Sequence, residues 1–340
     1  MVITAFQHPF SLCFESIFSY IVVIEMVEQL SVMRNIPKAD LVEALGPNLE
    51  TERELAPLTS YGTGGPAAYF IVAETADEIV RAVTGAKRLG IPFFLIGGGS
   101  NLLVSDSGFD GLIIRVGVKG LKLIGSTEIE AGAGEDLQSL VEFAATNSLT
   151  GLEFAAGIWG SVGGAICGNA GAFGGEIGQI VRELTLITGQ GDTRTVGPDY
   201  CEFDYRHSIL KESAEIIISA RFGLQPGNAD AISKRIEEIL TLRKERHPVD
   251  QKSAGCVFRN IPDATQPHGK LAAGKLLDEA GVKGLSVGDA TVSRKHANII
   301  VNTGNATSKD IRQLADIMKQ RVLEKFGLEL REEVVQVGEF

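Results

Sequence analysis

The sequence predicts a mixed α+β protein rather than a chain of repeated βαβ units. Two glycine-rich stretches carry this prediction. The first, 97–101, follows a short apolar strand at 91–96, but apolar strands come next where a dinucleotide-binding βαβ unit would place a helix, and no G-x-G-x-x-G spacing is present. The second, 157–172, is punctuated by apolar residues, so it is not a flexible linker. Its glycine backbone can approach a ligand closely.

The remaining elements follow from apolar periodicity and from capping signals. Helices are expected after Thr75, which forms a capping box with Glu78, and after Thr307 with Asp310; further helices are expected near 136–147 and after the turn-rich break at 225–228. Strands are expected at 67–72, 91–96, 102–104, 112–116, 121–124, 128–131, 184–187, 216–222 and 299–302, and a final strand is expected to hold Glu332 and Glu333.

Length and composition limit the function classes. The chain has 340 residues, of which 44% are hydrophobic and 22% are charged, as in ordinary globular proteins. The formal net charge of −11 argues against a nucleic-acid or anionic-membrane partner. Four cysteines without a C-x-x-C pair indicate reduced thiols, which favours a cytoplasmic protein.

The N-terminal segment, 1–37, is unlike the rest of the chain. It is apolar, but Pro9, Glu15 and Glu25 interrupt it, so it is too short and broken to span a bilayer. It also lacks the cationic start and the cleavage site of a signal peptide. We therefore expect a dispensable extension, with Met26 or Met33 as the true start.

The loop 97–101 is a candidate phosphate site. Successive backbone N–H groups in such a loop can form a concave anion-binding nest without a helix dipole. The alternative is a tight β-turn with no ligand, but three consecutive glycines followed by Ser100 and Asn101 exceed what a turn needs.

Six motifs in order resemble one family, the UDP-N-acetylenolpyruvoylglucosamine reductases. They are SYGTGG at 60–65, IGGGSNLL at 96–103, GIWGSVGGA at 157–165, YRHS at 205–208, SAGCVFRN at 253–260 and KHAN at 295–298. The resemblance covers roughly 38–338. Because the interval between Arg206 and Cys256 has no room for the tyrosine-bearing insertion of one family branch, the chain resembles the shorter branch.

The resemblance implies an FAD-binding fold of the vanillyl-alcohol oxidase type with an added α+β substrate-binding domain. The implied divisions are 38–100 as the first FAD-binding subdomain, joined by the C-terminal strand 329–340, 101–226 as the second, and 227–328 as the substrate domain. NADPH is the implied hydride donor, and the enolpyruvyl ether of UDP-N-acetylglucosamine is the acceptor. Both small molecules take turns in one site, which would explain the lack of a second dinucleotide motif.

The resemblance assigns FAD to three glycine-rich segments, with 97–101 at the pyrophosphate and 157–165 beside the flavin. The implied contacts are Tyr61, Gly62, Thr63, Gly64, Gly65, Gly97, Gly98, Gly99, Ser100, Asn101, Gly157, Gly160, Ser161, Gly163, Gly164, Ala165 and Asn169. Trp159 stands where the family usually has proline, and we expect it to pack near the flavin.

Three residues match the family's catalytic positions. Arg206, a planar and always-charged fork, suits the substrate carboxylate, the alternative being a surface pair with Asp204. Glu333 would assist an enolate in its protonated form, since a bare carboxylate would repel the developing charge. Glu332 competes with it, and alternation along a strand would let only one of the two face the site.

Cys256 is the departure from the family, which usually has serine as proton donor to carbon. A thiol with a reference pKa of about 8.5 is mostly protonated at neutral pH and can give up a proton. The alternative is a small buried hydrophobic residue.

Tyr205, Asn260 and Lys275 are candidates for binding the UDP-sugar, and Arg246 is a candidate for its phosphates or a solvated helix end. His296 and Asn298 could be supporting or purely structural. No metal-ligand spacing is visible. The competing functions are another oxidoreductase of the same flavin fold and a catalytically silent flavin- or nucleotide-binding paralogue.

Overall fold

The computed structural model describes residues 36–266 and 269–340, so nearly all of the predicted N-terminal extension lies outside the described residues. Within these ranges the helices are α1 (Lys38–Leu45), α2 (Ala76–Leu89), α3 (Leu137–Thr146), α4 (Val162–Cys167), α5 (Ala229–Arg246), α6 (Ala273–Glu279) and α7 (Ser308–Phe326). None of the described helices is long and apolar enough to cross a membrane. The mixture of helices and strands confirms the predicted α+β class.

The first sheet draws on segments from both sides of the first glycine-rich loop. The strands of this region are β1 (Glu50–Glu54), β2 (Pro66–Ala73), β3 (Phe93–Ile96), β4 (Leu102–Val104) and β5 (Phe109–Val116). The sheet order is β1-β2-β5-β3, with β5 parallel to both β2 and β3. The division at residue 100 stays a prediction, and the sheet itself continues to Val116.

Helix α2 shows why the local sequence folds as it does. Thr75 Oγ1 accepts a hydrogen bond from Glu78 N at 3.2 Å, and the Glu78 carboxylate accepts one from Thr75 N at 3.2 Å. The helix buries Ile79 and Ala82 in the core that it shares with α1 and the first sheet, and it ends at Gly90 in the left-handed conformation. The predicted capping box is therefore confirmed.

The second sheet is antiparallel throughout. The strands of this region are β6 (Leu121–Ile124), β7 (Glu128–Gly132), β8 (Leu149–Thr150), β9 (Gly171–Ala172), β10 (Gly175–Glu176), β11 (Val181–Ile187), β12 (Thr193–Val196), β13 (Ile216–Gly223) and β14 (Gln225–Pro226). The five-stranded order is β12-β11-β13-β7-β6. Residues of α3 and α4 pack into one core with it. Helix α4 forms inside the second glycine-rich stretch, where no helix was predicted.

The third region begins with α5, which Asn228 caps by accepting a hydrogen bond from Ala231 N at 3.0 Å. Its short strands are β15 (Ile261–Pro262), β16 (Lys270–Leu271), β17 (Ser286–Val287), β18 (Ala290–Val292) and β19 (Ile300–Asn302). Helix α7 has the predicted Thr307–Asp310 capping box and buries Leu314 and Met318 in this region's core.

The last strand, β20 (Val335–Val337), returns to the first half of the chain and runs parallel to β4. The prediction that Glu332 and Glu333 lie in this strand is wrong. Those residues instead join the third region: Glu332 forms an isolated bridge with Phe258, and Glu333 N donates to Val257 O at 2.7 Å. The tail therefore ties all three regions together just before its own strand begins.

Candidate active site

Arg206 lies at a tight turn between β12 and β13. Asp204 and His207 exchange two backbone hydrogen bonds of 3.1 and 3.0 Å, which leaves Tyr205 and Arg206 as the two turn residues. Arg206 has φ of +55°, a left-handed conformation that disfavours residues with a Cβ. The surrounding contacts must therefore hold this residue in place.

Asn169 and Ser208 link this turn to the region of the second, antiparallel sheet. Asn169 Nδ2 donates to Asp204 O at 2.9 Å, and its Oδ1 accepts from Gly178 N at 2.9 Å. Ser208 Oγ donates to Cys167 O at 2.8 Å. Asn169 is fully buried with both halves of its amide engaged, so it supports the turn that carries Arg206, and the cofactor contact expected for it stays a prediction.

The Arg206 side chain pairs with Glu333. The Nε–Oε1 distance is 2.7 Å, and Arg206 Nη2 donates to Gly171 O at 3.1 Å. The neighbouring Glu332 turns the other way, to Lys319 Nζ at 3.0 Å. Of the two candidate glutamates, Glu333 is the one brought within ion-pair distance of Arg206.

Cys256 is close enough to this pair to respond to it. Burial, the largest influence, and the Glu333 carboxylate raise the pKa of the Cys256 thiol to about 12, against the opposite effect of Arg206 and Arg243. The thiol is half-buried and not in a disulfide. It therefore stays protonated across the neutral range.

Arg243 on α5 is a site residue that the sequence analysis missed. Its Nε donates to Ala156 O at 2.7 Å, and its guanidinium lies 5.2 Å from the centre of the Phe173 ring. Its buried Nη2 has no hydrogen-bond partner among the described residues, and burial lowers the pKa of the group. The sequence around α5 does not distinguish Arg243, which is partly buried, from Arg246, which is exposed at the helix end.

The predicted substrate residues divide between two places. Tyr205 Oη accepts from Asn260 N at 3.4 Å, and Lys270 Nζ lies 3.4 Å from the centre of the Tyr205 ring. Asn260 Oδ1 accepts from Ala273 N at 3.1 Å. Lys275 lies elsewhere, in an open cavity of ≈ 460 Å³ that His296 also lines; the three predicted catalytic residues are not part of that lining.

Asn298 supports the extended segment that carries Cys256 and Phe258. Its Nδ2 donates to Phe258 O at 2.8 Å, and its Oδ1 accepts from Phe258 N at 3.0 Å. His296 Nδ1 accepts from Asn298 N at 3.2 Å. Because Asn298 is almost completely buried, its role is structural.

The first and second glycine-rich loops meet backbone to backbone. A Cβ added at Gly98 would lie 2.8 Å from the Cα of Gly160, and one added at Gly97 would lie 2.1 Å from Ser161 Oγ. Ser100 Oγ donates to Trp159 O at 2.8 Å, and the Trp159 side chain is 54% exposed. The glycines thus allow the two loops to lie in close contact, and the Trp159 indole lies exposed at the edge of this junction.

The other predicted cofactor residues surround this junction. Ser60 Oγ donates to Ser100 O at 3.1 Å, which brings the 60–65 segment against the first loop. The Tyr61 side chain is fully buried in the core of the third region, and its carbonyl accepts from Asn302 Nδ2 at 3.0 Å. Ser161 caps α4, which contains Gly163, Gly164 and Ala165. Among the described residues, no group of three or more His, Cys, Asp or Glu side chains could hold a metal ion.

Comparison with known proteins points in one direction. A family model described as UDP-N-acetylenolpyruvoylglucosamine reductase, C-terminal domain, matches residues 247–337, and one described as FAD binding domain matches 67–197. The reductase of Agathobacter rectalis is 42% identical over 296 residues, covering 83% of this chain and 91% of that protein. The reductase of Lactiplantibacillus plantarum is 40% identical over 292 residues, covering 86% and 94%.

A solved structure agrees with these matches. The crystal structure of UDP-N-acetylenolpyruvylglucosamine reductase from Thermus caldophilus superposes with a TM-score of 0.71 at 35% identity, covering 85% of this chain and 98% of that one. The similarity therefore extends over nearly the whole of the described chain.

Proposed function

The chain belongs to the UDP-N-acetylenolpyruvoylglucosamine reductase family, and from this premise we propose that Arg206, Cys256 and Glu333 carry its reaction. The chain is an FAD-dependent UDP-N-acetylmuramate dehydrogenase of peptidoglycan precursor synthesis that uses NADPH. The family resemblance and the FAD-binding fold predicted from the six motifs are confirmed. The roles of individual residues are our proposal.

The glycine-loop junction fits FAD. Gly97 and Gly98 let the first loop lie directly against Gly160 and Ser161, so a pyrophosphate at this junction would meet mainly backbone groups, and Trp159 offers an exposed ring beside it. When bound, FAD accepts a hydride from NADPH and delivers it to the enolpyruvyl group. The residues that follow bind the substrate, hold the developing charge and supply the proton.

The observation that carries the proposal is the Arg206–Glu333 ion pair beside Cys256. Arg206 is 27% exposed and Glu333 19%, so an incoming substrate carboxylate can reach the same guanidinium. We infer that it displaces Glu333 from Nε, and that Arg206 then stabilises the charge that grows on this carboxylate as the C=C bond is reduced.

Cys256 completes the reduction. Hydride addition to the β-carbon leaves an electron pair shared between the α-carbon and the carboxylate, and the thiol of Cys256 donates its proton to the α-carbon. The resulting thiolate recovers a proton from solvent, which closes the balance. A thiol pKa of about 12 keeps the proton in place until negative charge develops nearby.

Binding of the UDP-sugar is assigned to Tyr205, Asn260 and Lys275, as the sequence indicated, with Arg243 added. The buried Nη2 of Arg243, which has no hydrogen-bond partner in the described part of the chain, supports an anionic ligand at that point, whereas Arg246 lies exposed at the end of α5. In this proposal the protein acts on small molecules and binds no nucleic acid, and it works in the cytoplasm.

One experiment separates this function from its alternatives. The purified protein should be yellow, with the absorbance of oxidised flavin at about 450 nm. NADPH should bleach this absorbance, and addition of the enolpyruvyl substrate should restore it. A silent paralogue would not bleach. Another oxidoreductase of this fold would bleach without recovering.

A further inference from the structure

Lys211 is a half-buried lysine that the reaction as described does not use. It ends a single 3-10 turn, Ile209–Lys211, directly after the turn that carries Arg206. Its Nζ donates a 2.6 Å hydrogen bond to the backbone carbonyl of Arg206. Arg206 is the turn residue that has both a proposed catalytic role and a positive φ. The ammonium of Lys211 therefore holds the backbone where its conformation is least favourable.

We propose that Lys211 is a positioning residue: its ammonium locks the left-handed backbone of Arg206 and adds positive charge behind the guanidinium that receives the substrate carboxylate. This inference rests on the proposed role of Arg206. Asp204 and His207 close the turn, but their bonds do not engage the Arg206 carbonyl. The Lys211 bond does, so it sets the direction of the peptide group that follows Arg206.

The charges that face Lys211 come from four segments. The positive charges of Arg259 and Arg206 disfavour the charged form of Lys211. Cys167 on α4 and Glu333 on the tail favour it. Burial is the largest influence and lowers the pKa of Lys211 to about 8. The ammonium is thus present below pH 8 and lost above it. A neutral amine could still donate a hydrogen bond, but it would no longer help to hold a carboxylate.

The test compares three variants of the FAD-loaded enzyme. Lys211→Met removes the donor and the charge, Lys211→Arg keeps both without titrating, and Lys87→Met is the matched control because Lys87 Nζ also donates to a backbone carbonyl, that of Gly189, in another part of the fold. The measurements are flavin reduction by NADPH, flavin reoxidation by the enolpyruvyl substrate, calorimetric affinity for UDP-N-acetylmuramate, and thermal unfolding.

Lys211→Met should slow reoxidation about 10- to 100-fold and weaken product binding, with reduction by NADPH unchanged, because only the carboxylate half of the cycle needs Arg206 aligned. In the wild type, product affinity should fall as pH rises through 8. Lys211→Arg should restore reoxidation and abolish that fall, and Lys87→Met should behave as wild type.

Two results overturn the inference: wild-type reoxidation in Lys211→Met, or an equal loss in both half-reactions with a lowered unfolding temperature, which would mark a purely structural lysine. Arg206→Met separates this failure from failure of the proposed function. If Arg206→Met slows reoxidation and Lys211→Met does not, only the role of Lys211 is lost. If neither variant slows it, the proposed role of Arg206 fails first.

Discussion

The guanidinium of Arg206 and the carboxylate of Glu333 form an ion pair with 2.7 Å between Nε and Oε1, across segments that meet only in the folded protein. Each partner neutralises the other while the site waits for substrate. A substrate carboxylate must therefore compete with Glu333 for the same guanidinium, so substrate binding and the charge of Glu333 are linked.

This competition predicts opposite effects on binding and on rate in Glu333→Gln. UDP-N-acetylmuramate should bind more tightly because the competing carboxylate is gone. Reoxidation of reduced flavin should slow about 10²-fold or more, because glutamine cannot take the protonated form in which the displaced Glu333 is proposed to assist the enolate. Calorimetry and stopped-flow absorbance measure the two. The matched control is Glu332→Gln: Glu332 pairs with Lys319, so it should cost less than about 1 kcal/mol of stability and leave the rate unchanged. Equal rates in the two variants would rule out the assignment.

The proton-donor role of Cys256 predicts an ordered series of rates. Cys256→Ser should keep substantial reoxidation because a hydroxyl can also give up a proton, and Cys256→Ala should lose about 10²- to 10⁴-fold. Flavin reduction by NADPH should be unaffected in both. Cys201→Ala is the control, since Cys201 lies fully buried in the second core. A fully active alanine variant at 256 would show that the proton comes from elsewhere.

The contact between the two glycine-rich loops predicts which glycines FAD binding requires. Gly98→Ala should shift the first loop, because its Cβ would lie 2.8 Å from Gly160 Cα, and purified protein should carry less flavin per chain. Gly197→Ala is the control, since nothing lies within 4 Å of its Cβ and its φ is not in the left-handed region. Absorbance ratios at the flavin and protein bands decide between them, and equal flavin content would contradict the prediction.

His247 predicts an acid limit to stability. Burial, the largest influence, and the neighbouring His296, Arg243 and Arg246 together lower its pKa to about 4. Below the unfolded-state pKa of about 6.5 the unfolded chain takes up a proton that the folded chain refuses, so stability should fall as pH drops from 6.5 toward 4, by about 1 to 2 kcal/mol for a partly exposed ring.

Urea unfolding midpoints at pH 7 and pH 5 measure this loss. His247→Phe keeps a ring against His296, which lies 5.2 Å away between ring centres, but removes the titration. The variant should lose less stability than wild type between the two pH values. An identical loss would assign the acid sensitivity to other groups.

Local signals predicted the elements best. The Thr75–Glu78 and Thr307–Asp310 capping boxes and the Asn228 break gave helix starts that the structure confirms, because a cap depends on residues three or four apart. Helix α4 was not predicted because glycine is a poor helix former; the Ser161 cap and packing against the second sheet favour the helix there.

The site was harder to predict because it depends on contacts between distant segments. Motifs predicted Arg206 and Glu333 separately, and the structure brings them together. The left-handed φ of Arg206, the buried Arg243 and the Lys211 bond depend on tertiary packing, for which no sequence spacing is diagnostic. Alternation along a strand was not a valid ground for separating Glu332 from Glu333, because the strand begins only at Val335; the two side chains diverge because Glu332 pairs with Lys319 and Glu333 with Arg206.

The parallel pairing of β20 with β4 has a consequence for biosynthesis. Glu333 precedes β20 by only two residues, and β20 pairs with a strand made more than two hundred residues earlier. A chain still emerging from the ribosome therefore lacks both the β4–β20 pairing and the Arg206–Glu333 pair. Turnover should begin only after translation of the final strand, and a nonsense mutation upstream of Glu333 would remove that pairing and the proposed catalytic glutamate together.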